Sequence, residues 1–404
     1  MRAESHGKVS PVSNLGDQNA FLLHGLSPHR NVDTMAVMPW LSVFSSFPLT
    51  LQIGRLAAPG PFCTLLRTTG YQLRPPRPVP FRPVIRHRQD ALLALRAAGP
   101  HQLAALLHEA RPGPVPTIVL GGFVPDATES VFLLRGTLLR AGSLYCFNYS
   151  RRGFSTDLLC AQLSDLVDEL ERQHGRPPAM LAISFGAGLL MEWLRRTRGT
   201  GDQPALRGLV LISPVACVED LLPAGTTKPG TLLGRALKPY LESGAIVDPQ
   251  LVEKTRIIFQ KMFEAGAQNK EALHAILSRA ELAHLHSAVL GTIRDVSFQG
   301  ACERLRSLRQ LAARAPDAGP LADVPTLILY AEKESAVLAE RSPTRSVLEG
   351  APQAWFPQGE CRLVTNRPDS PVQHASLIFH CFNFQPPIAA FYRRLKSGKA
   401  RQAA

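Results

Sequence analysis

Residues 180–188 read Met180-Leu181-Ala182-Ile183-Ser184-Phe185-Gly186-Ala187-Gly188. Four apolar residues lead to one serine set among small neighbours. The run then continues as Leu189-Leu190-Met191-Glu192-Trp193-Leu194, which has helical spacing. This is the pattern of a short buried strand, a very sharp turn and a helix. A turn tight enough to lift the serine hydroxyl clear of a sheet needs small residues two before and two after it. Ala182 and Gly186 occupy those places.

Outward from this stretch, apolar strands and amphipathic helices alternate. Upstream, residues 117–120 form an apolar strand that runs into Gly121-Gly122-Phe123-Val124-Pro125. A helical stretch is predicted around 130–140, a strand over 144–149, and a strongly amphipathic helix over 158–173 that stops at Gly175. Downstream, the helix after Ser184 runs to about 198, and 209–212 is another buried strand, ending at Ser213-Pro214. The alternation predicts an α/β fold with a doubly wound, mostly parallel sheet covered on both faces. It breaks at 217–320, which is helical, most clearly over 251–265, 271–280 and 304–313, and it resumes with a strand at 326–330. A short strand is expected near 354–356, and a last helix over 387–396 with its proline in the first turn. Before the sheet, 89–108 is Leu/Ala-rich at helical spacing and reads as two short helices broken at Gly99-Pro100. Residues 71–86 are proline-rich and extended. Residues 1 to about 75 show no sustained period, and their composition is that of a poorly ordered, dispensable leader. The expected division is therefore a leader at 1–75, a core at 76–216, a helical insertion at 217–320 and the rest of the core at 321–398.

Composition narrows the function classes. The 404 residues carry a net charge of +13, and 45% are hydrophobic, ample for a sizeable core. The basic residues form no dense run and have few interleaved aromatics, so the charge reads as solvated surface and no nucleic-acid partner is expected. Contact with a membrane surface would rest on net charge alone. Seven cysteines are scattered with no Cys-x-x-Cys pair, which argues against a zinc site and a disulfide framework and fits a reducing, cytoplasmic setting. No apolar run is long enough to cross a bilayer. Residues 40–53 would serve as the apolar part of a secretion signal only if translation began at Met35 or Met38.

Ala182-Ile183-Ser184-Phe185-Gly186 is Gly-x-Ser-x-Gly with alanine for the first glycine, and it resembles the nucleophile elbow of the α/β-hydrolase family. The resemblance covers about 115–215 and 320–396, with its elements in the family's order. It implies that Ser184 is the nucleophile and that an acid and then a histidine follow from later strand ends. After the strand at 326–330 comes Ala331-Glu332-Lys333-Glu334-Ser335-Ala336-Val337. This resembles the family's Gly-x-x-Asp-x-x-Val loop, with Glu334 in the acid position and Glu332 as its rival. His374 is the expected base. His380, inside an apolar run, reads as a core histidine. The gap from Glu334 to His374 is long for the family, with 360–373 read as an insertion. The resemblance assigns the oxyanion donors to the backbone N–H groups of Phe185 and Phe123. Asn148 to Ser155 is similar to the family's Asp-x-Arg-Gly-x-Gly-x-Ser loop at Arg152, Gly153 and Ser155, without its leading acid. The family's helical cap commonly enters where 217–320 sits.

These features lead to the expectation of a serine hydrolase that cleaves an uncharged carboxylic ester or thioester through an acyl-enzyme. Its partner is a small acyl ester, and no cofactor or metal is implied. The apolar stripes of the insertion suggest medium acyl chains over acetyl. A non-catalytic binding protein on the same fold is the alternative. A nucleic-acid or membrane-surface binder is a third class, resting only on charge.

Overall fold

The computed structural model describes residues 77–398, apart from 201–202, 224, 226, 244–247, 267–276 and 316, together with positions 66, 69, 72 and 73. These described residues all belong to one compact unit. The expected leader, and with it the expectation that it is dispensable, falls almost wholly outside the described residues.

Eight strands form one open sheet: β1 (Val79–Pro80), β2 (Ala105–Glu109), β3 (Thr117–Leu120), β4 (Leu144–Asn148), β5 (Ala179–Ile183), β6 (Gly208–Ile212), β7 (Thr326–Ala331) and β8 (Gly359–Val364). Their order across the sheet is β1-β2-β4-β3-β5-β6-β7-β8. β1 and β2, and β2 and β4, pair antiparallel, and every other pair is parallel. β3, β5, β6 and β7 read as unbroken apolar runs because every one of their residues is buried. Successive side chains point to opposite faces, so the strands feed two cores. Met180, Ala182, Leu209, Leu211, Ile328 and Tyr330 join one of them. Leu181, Ile183, Val210, Ile212, Leu327 and Leu329 join the other.

Helix α1 (His87–Ala94) packs on α4 (Thr156–His174), where the backbone N–H groups of Arg88 and Gln89 donate to buried Asp165. Between β3 and β4 lie α2 (Ala127–Ser130) and α3 (Arg135–Leu139). Ser155 caps α4 by accepting from the Leu158 N–H, and Gly175 ends it at a φ of 62°. α5 (Phe185–Thr197) follows β5. The segment from β6 to β7 holds α6 (Leu232–Ser243), α7 (Pro249–Gly266), α8 (Arg279–Asp295) and α9 (Phe298–Gln310). No strand occurs there among the described residues. α10 (Pro343–Gly350) joins β7 to β8, and α11 (Cys381–Ser397) closes the described chain. Leu285, Val289 and Ile293 of α8 form a third cluster with Ile378 and, around it, Phe259 and Phe263 of α7. Among the described residues no helix is long and apolar enough to cross a membrane.

Several local expectations are corrected. Residues 105–109 are a strand, not helix: antiparallel pairing with β4 over five registered pairs overrides the helix propensity of Leu and Ala. The expected strand at 354–356 is the end of a 3-10 turn (Pro352–Ala354) followed by buried Trp355 and Phe356. The true strand, β8, lies almost wholly within what reads as an insertion at 360–373, so part of the long spacing from Glu334 to His374 is an element of the sheet. Its outer position leaves Arg362 and Leu363 exposed, so it lacks an apolar signature. α11 begins at Cys381 and carries Pro386 and Pro387 inside it. The expected helix at 271–280 lies mostly outside the described residues.

Candidate active site

Parallel register decides where the polar groups meet. Leu120 pairs with Ala182, Ile183 with Ile212, and Ile212 with Leu329. The residues just past these ends therefore emerge side by side at the C-terminal edge of the sheet, the usual ligand edge of open α/β sheets. They are Gly121, Ser184, Ser213 and the Glu332–Glu334 loop.

Ser184 has a φ of 52° and a ψ of −117°, a conformation that a residue with a side chain adopts at a cost of about 1–3 kcal/mol. The surroundings hold it there. Its N–H donates to the Ile212 carbonyl at 2.8 Å, and its own carbonyl accepts from Ala187, Gly188 and Val215. A β-carbon on Gly186 would lie 2.2 Å from the Gly121 oxygen, and one on Gly188 would lie 2.0 Å from the Val215 oxygen. Glycine is thus required at both by close approach of backbone. Ala182 is fully buried, so the position two before the serine admits a methyl group.

The Ser184 hydroxyl meets His374 Nε2 at 2.9 Å. His374 Nδ1 in turn meets Glu334 Oε2 in a short contact. With Nδ1–H donating to the carboxylate, Nε2 is left as acceptor for the serine proton; this is the tautomer that satisfies both contacts. Glu334 is 1% exposed. Its Oε1 accepts from the Ser213 hydroxyl and from the Ala331 N–H, both at 2.7 Å. Burial alone would raise the pKa of this carboxyl. Electrostatic attraction to the His374 imidazole and the hydrogen bonds from His374, Ser213 and Ala331 outweigh burial and hold it below the usual value.

While His374 Nδ1 pairs with Glu334, Glu332 is engaged elsewhere. Its Oε1 accepts from the N–H groups of Asn366 at 3.0 Å and Val372 at 2.7 Å, so it ties down the chain that returns with His374. His380 sits at the start of α11, 5% exposed, with Nδ1 at 2.8 Å from the Ser376 hydroxyl. Burial lowers its pKa.

The Phe185 N–H is one of the first amides of α5, which have no acceptor within the helix. The place of a β-carbon on Gly122 lies 3.6 Å from Ser184 Cβ, so the Gly121-Gly122-Phe123 loop passes directly beside the nucleophile. The rings of Phe123 and Phe185 stand 5.4 Å apart, and Phe259 of α7 stacks on Phe123 at 6.0 Å. A small, mainly apolar cavity of about 40 Å³ lies on the far side of Phe123, lined by Phe123, Leu237, Tyr240, Val252, Phe259 and Leu305 among others, with Arg256 and Arg304 also in its wall. In the loop after β4, Arg152 is exposed. It is Arg151 that bridges Asp126 at 3.2 Å and Asp295 of α8 at 2.9 Å.

Three residues at this edge are invisible to motif reasoning. Ser213, φ 45°, donates to Glu334 and accepts from the Ala375 N–H at 3.2 Å. Ala375, next to His374, also has a positive φ, 47°. The polar end of a buried strand, Ser213-Pro214, is the cue the sequence offers for Ser213. Tyr149 donates to the Gly121 carbonyl at 2.9 Å, and Arg304 of α9 donates to the Phe123 carbonyl at 2.8 Å. Arg304 occupies an apolar helical stripe with Ala301, Leu305 and Leu308, which marks it as inward-facing.

A mostly parallel sheet in this order, helices on both faces and a helical segment between β6 and β7 give the chain the α/β-hydrolase fold. No protein-family model matches it, and no curated protein matches its sequence. Solved structures of similar shape include an esterase from Thermogutta terrifontis, 14% identical over 72% of this chain and 94% of that one, with a TM-score of 0.47. An esterase from a Rhodococcus species is 15% identical over 72% and 96%, with a TM-score of 0.48. A variant of an epoxide hydrolase from Bacillus megaterium is 11% identical over 72% and 97%, with a TM-score of 0.49.

Proposed function

We propose that this protein is a serine hydrolase that cleaves an uncharged carboxylic ester or thioester through an acyl-enzyme. The observation that carries the reading is the unbroken relay from the Ser184 hydroxyl through His374 to the buried Glu334 carboxylate. His374 Nε2 takes the Ser184 proton as Oγ attacks the carbonyl carbon. Glu334 holds the imidazole in its tautomer and stabilises the imidazolium that forms. The developing oxyanion is received by the N–H groups of Phe185 and Phe123. His374 then passes its proton to the departing alcohol or thiol. In the second half it takes a proton from water, which attacks the acyl carbon, and returns that proton to Ser184 Oγ as the bond to the acyl carbon breaks and the acid departs.

The apolar cavity beside Phe123 supports an uncharged acyl group. Its volume of about 40 Å³ admits about three atoms of carbon size, on the measure by which one water needs 10–15 Å³. Each methylene that enters should contribute about 0.8 kcal/mol until the cavity is full. Turnover of acetyl, butyryl, octanoyl and palmitoyl esters of one alcohol, as kcat/KM, should therefore rise from acetyl to a short or medium chain. A pre-steady-state burst of about one alcohol per chain is expected on a p-nitrophenyl ester. No burst and no turnover would leave a non-catalytic binding protein on this fold. A best substrate bearing a carboxylate would overturn the apolar acyl site.

A further inference from the structure

Arg304 is 1% exposed, and no carboxylate is among its hydrogen-bond partners in the described residues. A cation buried in this way is costly, and leucine would extend the apolar stripe of α9 at lower cost. What the guanidinium supplies instead is a planar fork of donors that meets several carbonyls at once. Nη1 donates to the Phe123 oxygen at 2.8 Å, and Nη2 to the oxygens of Tyr149 at 3.2 Å and Ser150 at 3.1 Å. The guanidinium carbon also lies 5.6 Å from the centre of the Tyr149 ring. Tyr149, 4% exposed, donates its hydroxyl to the Gly121 oxygen at 2.9 Å.

These contacts bracket one peptide plane. The Phe123 N–H belongs to the plane joining Gly122 to Phe123. The plane before it carries the Gly121 oxygen, held by Tyr149. The plane after it carries the Phe123 oxygen, held by Arg304. Gly122 is conformationally permissive, so without the two clamps the donor plane is free to rotate. The Tyr149 hydroxyl also packs at the elbow, 3.0 Å from where a β-carbon on Gly186 would be. The loop and the turn at Ser184 are therefore located by the same side chain.

We propose that Arg304 and Tyr149 form one positioning unit that aims the Phe123 N–H at the developing oxyanion, so that the helical segment between β6 and β7 sets the rate of acyl transfer. The inference rests on the hydrolase reading and adds two residues that touch no reacting atom.

The test compares Arg304→Lys, which keeps the charge and loses the fork, with Tyr149→Phe, which removes one oxygen and keeps the ring. For each, kcat and KM are measured on one p-nitrophenyl ester, with inhibition by a trifluoromethyl ketone as transition-state mimic and by the product acid as ground-state control. Each variant should lose about 10- to 100-fold in kcat with little change in KM. Affinity for the ketone should fall by the same factor as kcat/KM, and affinity for the acid should hold. The double variant should lose less than the product of the two single losses, because both act on one plane. Should Arg304→Lys fail to fold, Tyr149→Phe carries the same comparison. Wild type without labelling or turnover means the hydrolase reading has failed. Active wild type with variants of unchanged kcat, or variants whose ketone and acid affinities fall together, overturns the positioning unit alone.

Discussion

The sheet edge around Ser184 and the helical segment between β6 and β7 locate groups by different means. At the sheet edge, position comes from register. Four parallel strands end close to one level; β5, β6 and β7 deliver Ser184, Ser213 and Glu334 there, and β3 delivers the Gly121-Gly122 backbone. The backbone there is strained: Ser184, Ser213 and Ala375 all have positive φ, and each is held by hydrogen bonds from a neighbouring element. The helical segment supplies no atom to the relay. It supplies shape, through Phe259 and Tyr240 at the apolar cavity, and orientation, through Arg304. Damage to the edge should therefore remove chemistry, whereas damage to the helices should alter rate or substrate range in graded steps.

The largest contrast is expected between two histidines on one stretch. His374→Ala should cost about four orders of magnitude in kcat, since the proton has no other acceptor, with little change in Tm. His380→Ala should do the reverse, lowering Tm and leaving kcat within a few-fold. The steady-state rates and melting curves of the two purified variants decide this. A reversal would move the base to His380 and dissolve the relay.

Next is the pair of acids two residues apart. Glu334→Gln should lower kcat by about 10³- to 10⁴-fold, because a neutral amide neither fixes the tautomer nor stabilises the imidazolium. Glu332→Gln should cost far less, since the amide oxygen can still accept from the Asn366 and Val372 N–H groups. Equal losses would mean that the returning loop, not the carboxylate charge, limits the reaction.

These two pairs also show how far the sequence could be read. Strands buried on both faces announce themselves as continuous apolar runs, so β3, β4, β5, β6 and β7 are legible, and with them the turn at Ser184. β2 and β8 are not. Ala105-Leu106-Leu107-His108-Glu109 has a partly exposed face and a helix-like composition, and Gly359-Glu360-Cys361-Arg362-Leu363-Val364 is an edge strand dressed in charge. Glu334, His374, Phe123 and Phe185 were legible only because a family resemblance orders them. Nothing in local spacing separates Glu334 from Glu332. Ser213, Tyr149 and Arg304 act through contacts 28 to 181 residues apart in sequence; helical spacing marks Arg304 as inward-facing, but no spacing names the partner of any of the three.

The smallest effect is expected at Ser213. Ser213→Ala removes one donor to Glu334 and the acceptor for the Ala375 N–H, and should cost about 1–3 kcal/mol of stability with about a 10-fold loss of kcat. The sign of the pH effect follows from the carboxyl. Its folded pKa lies below the ordinary 4.5, so it contributes stability that is present above that value and is lost as pH falls through the lower folded one. Removing the Ser213 donor raises the folded pKa, so the variant should begin to unfold at a higher pH on acid titration. A titration superimposable on wild type would mean that Ser213 does not sense the charge on Glu334.

The relay itself is tested most directly by a fluorophosphonate, which loses fluoride as it phosphonylates a serine made nucleophilic by its surroundings. Intact mass and peptide mapping of the labelled wild-type chain should show one adduct, on Ser184. Ser184→Ala should fold with an unchanged melting curve and carry none, and His374→Ala should label orders of magnitude more slowly. An adduct on another serine, or a folded wild-type chain that takes up no label, would contradict the account.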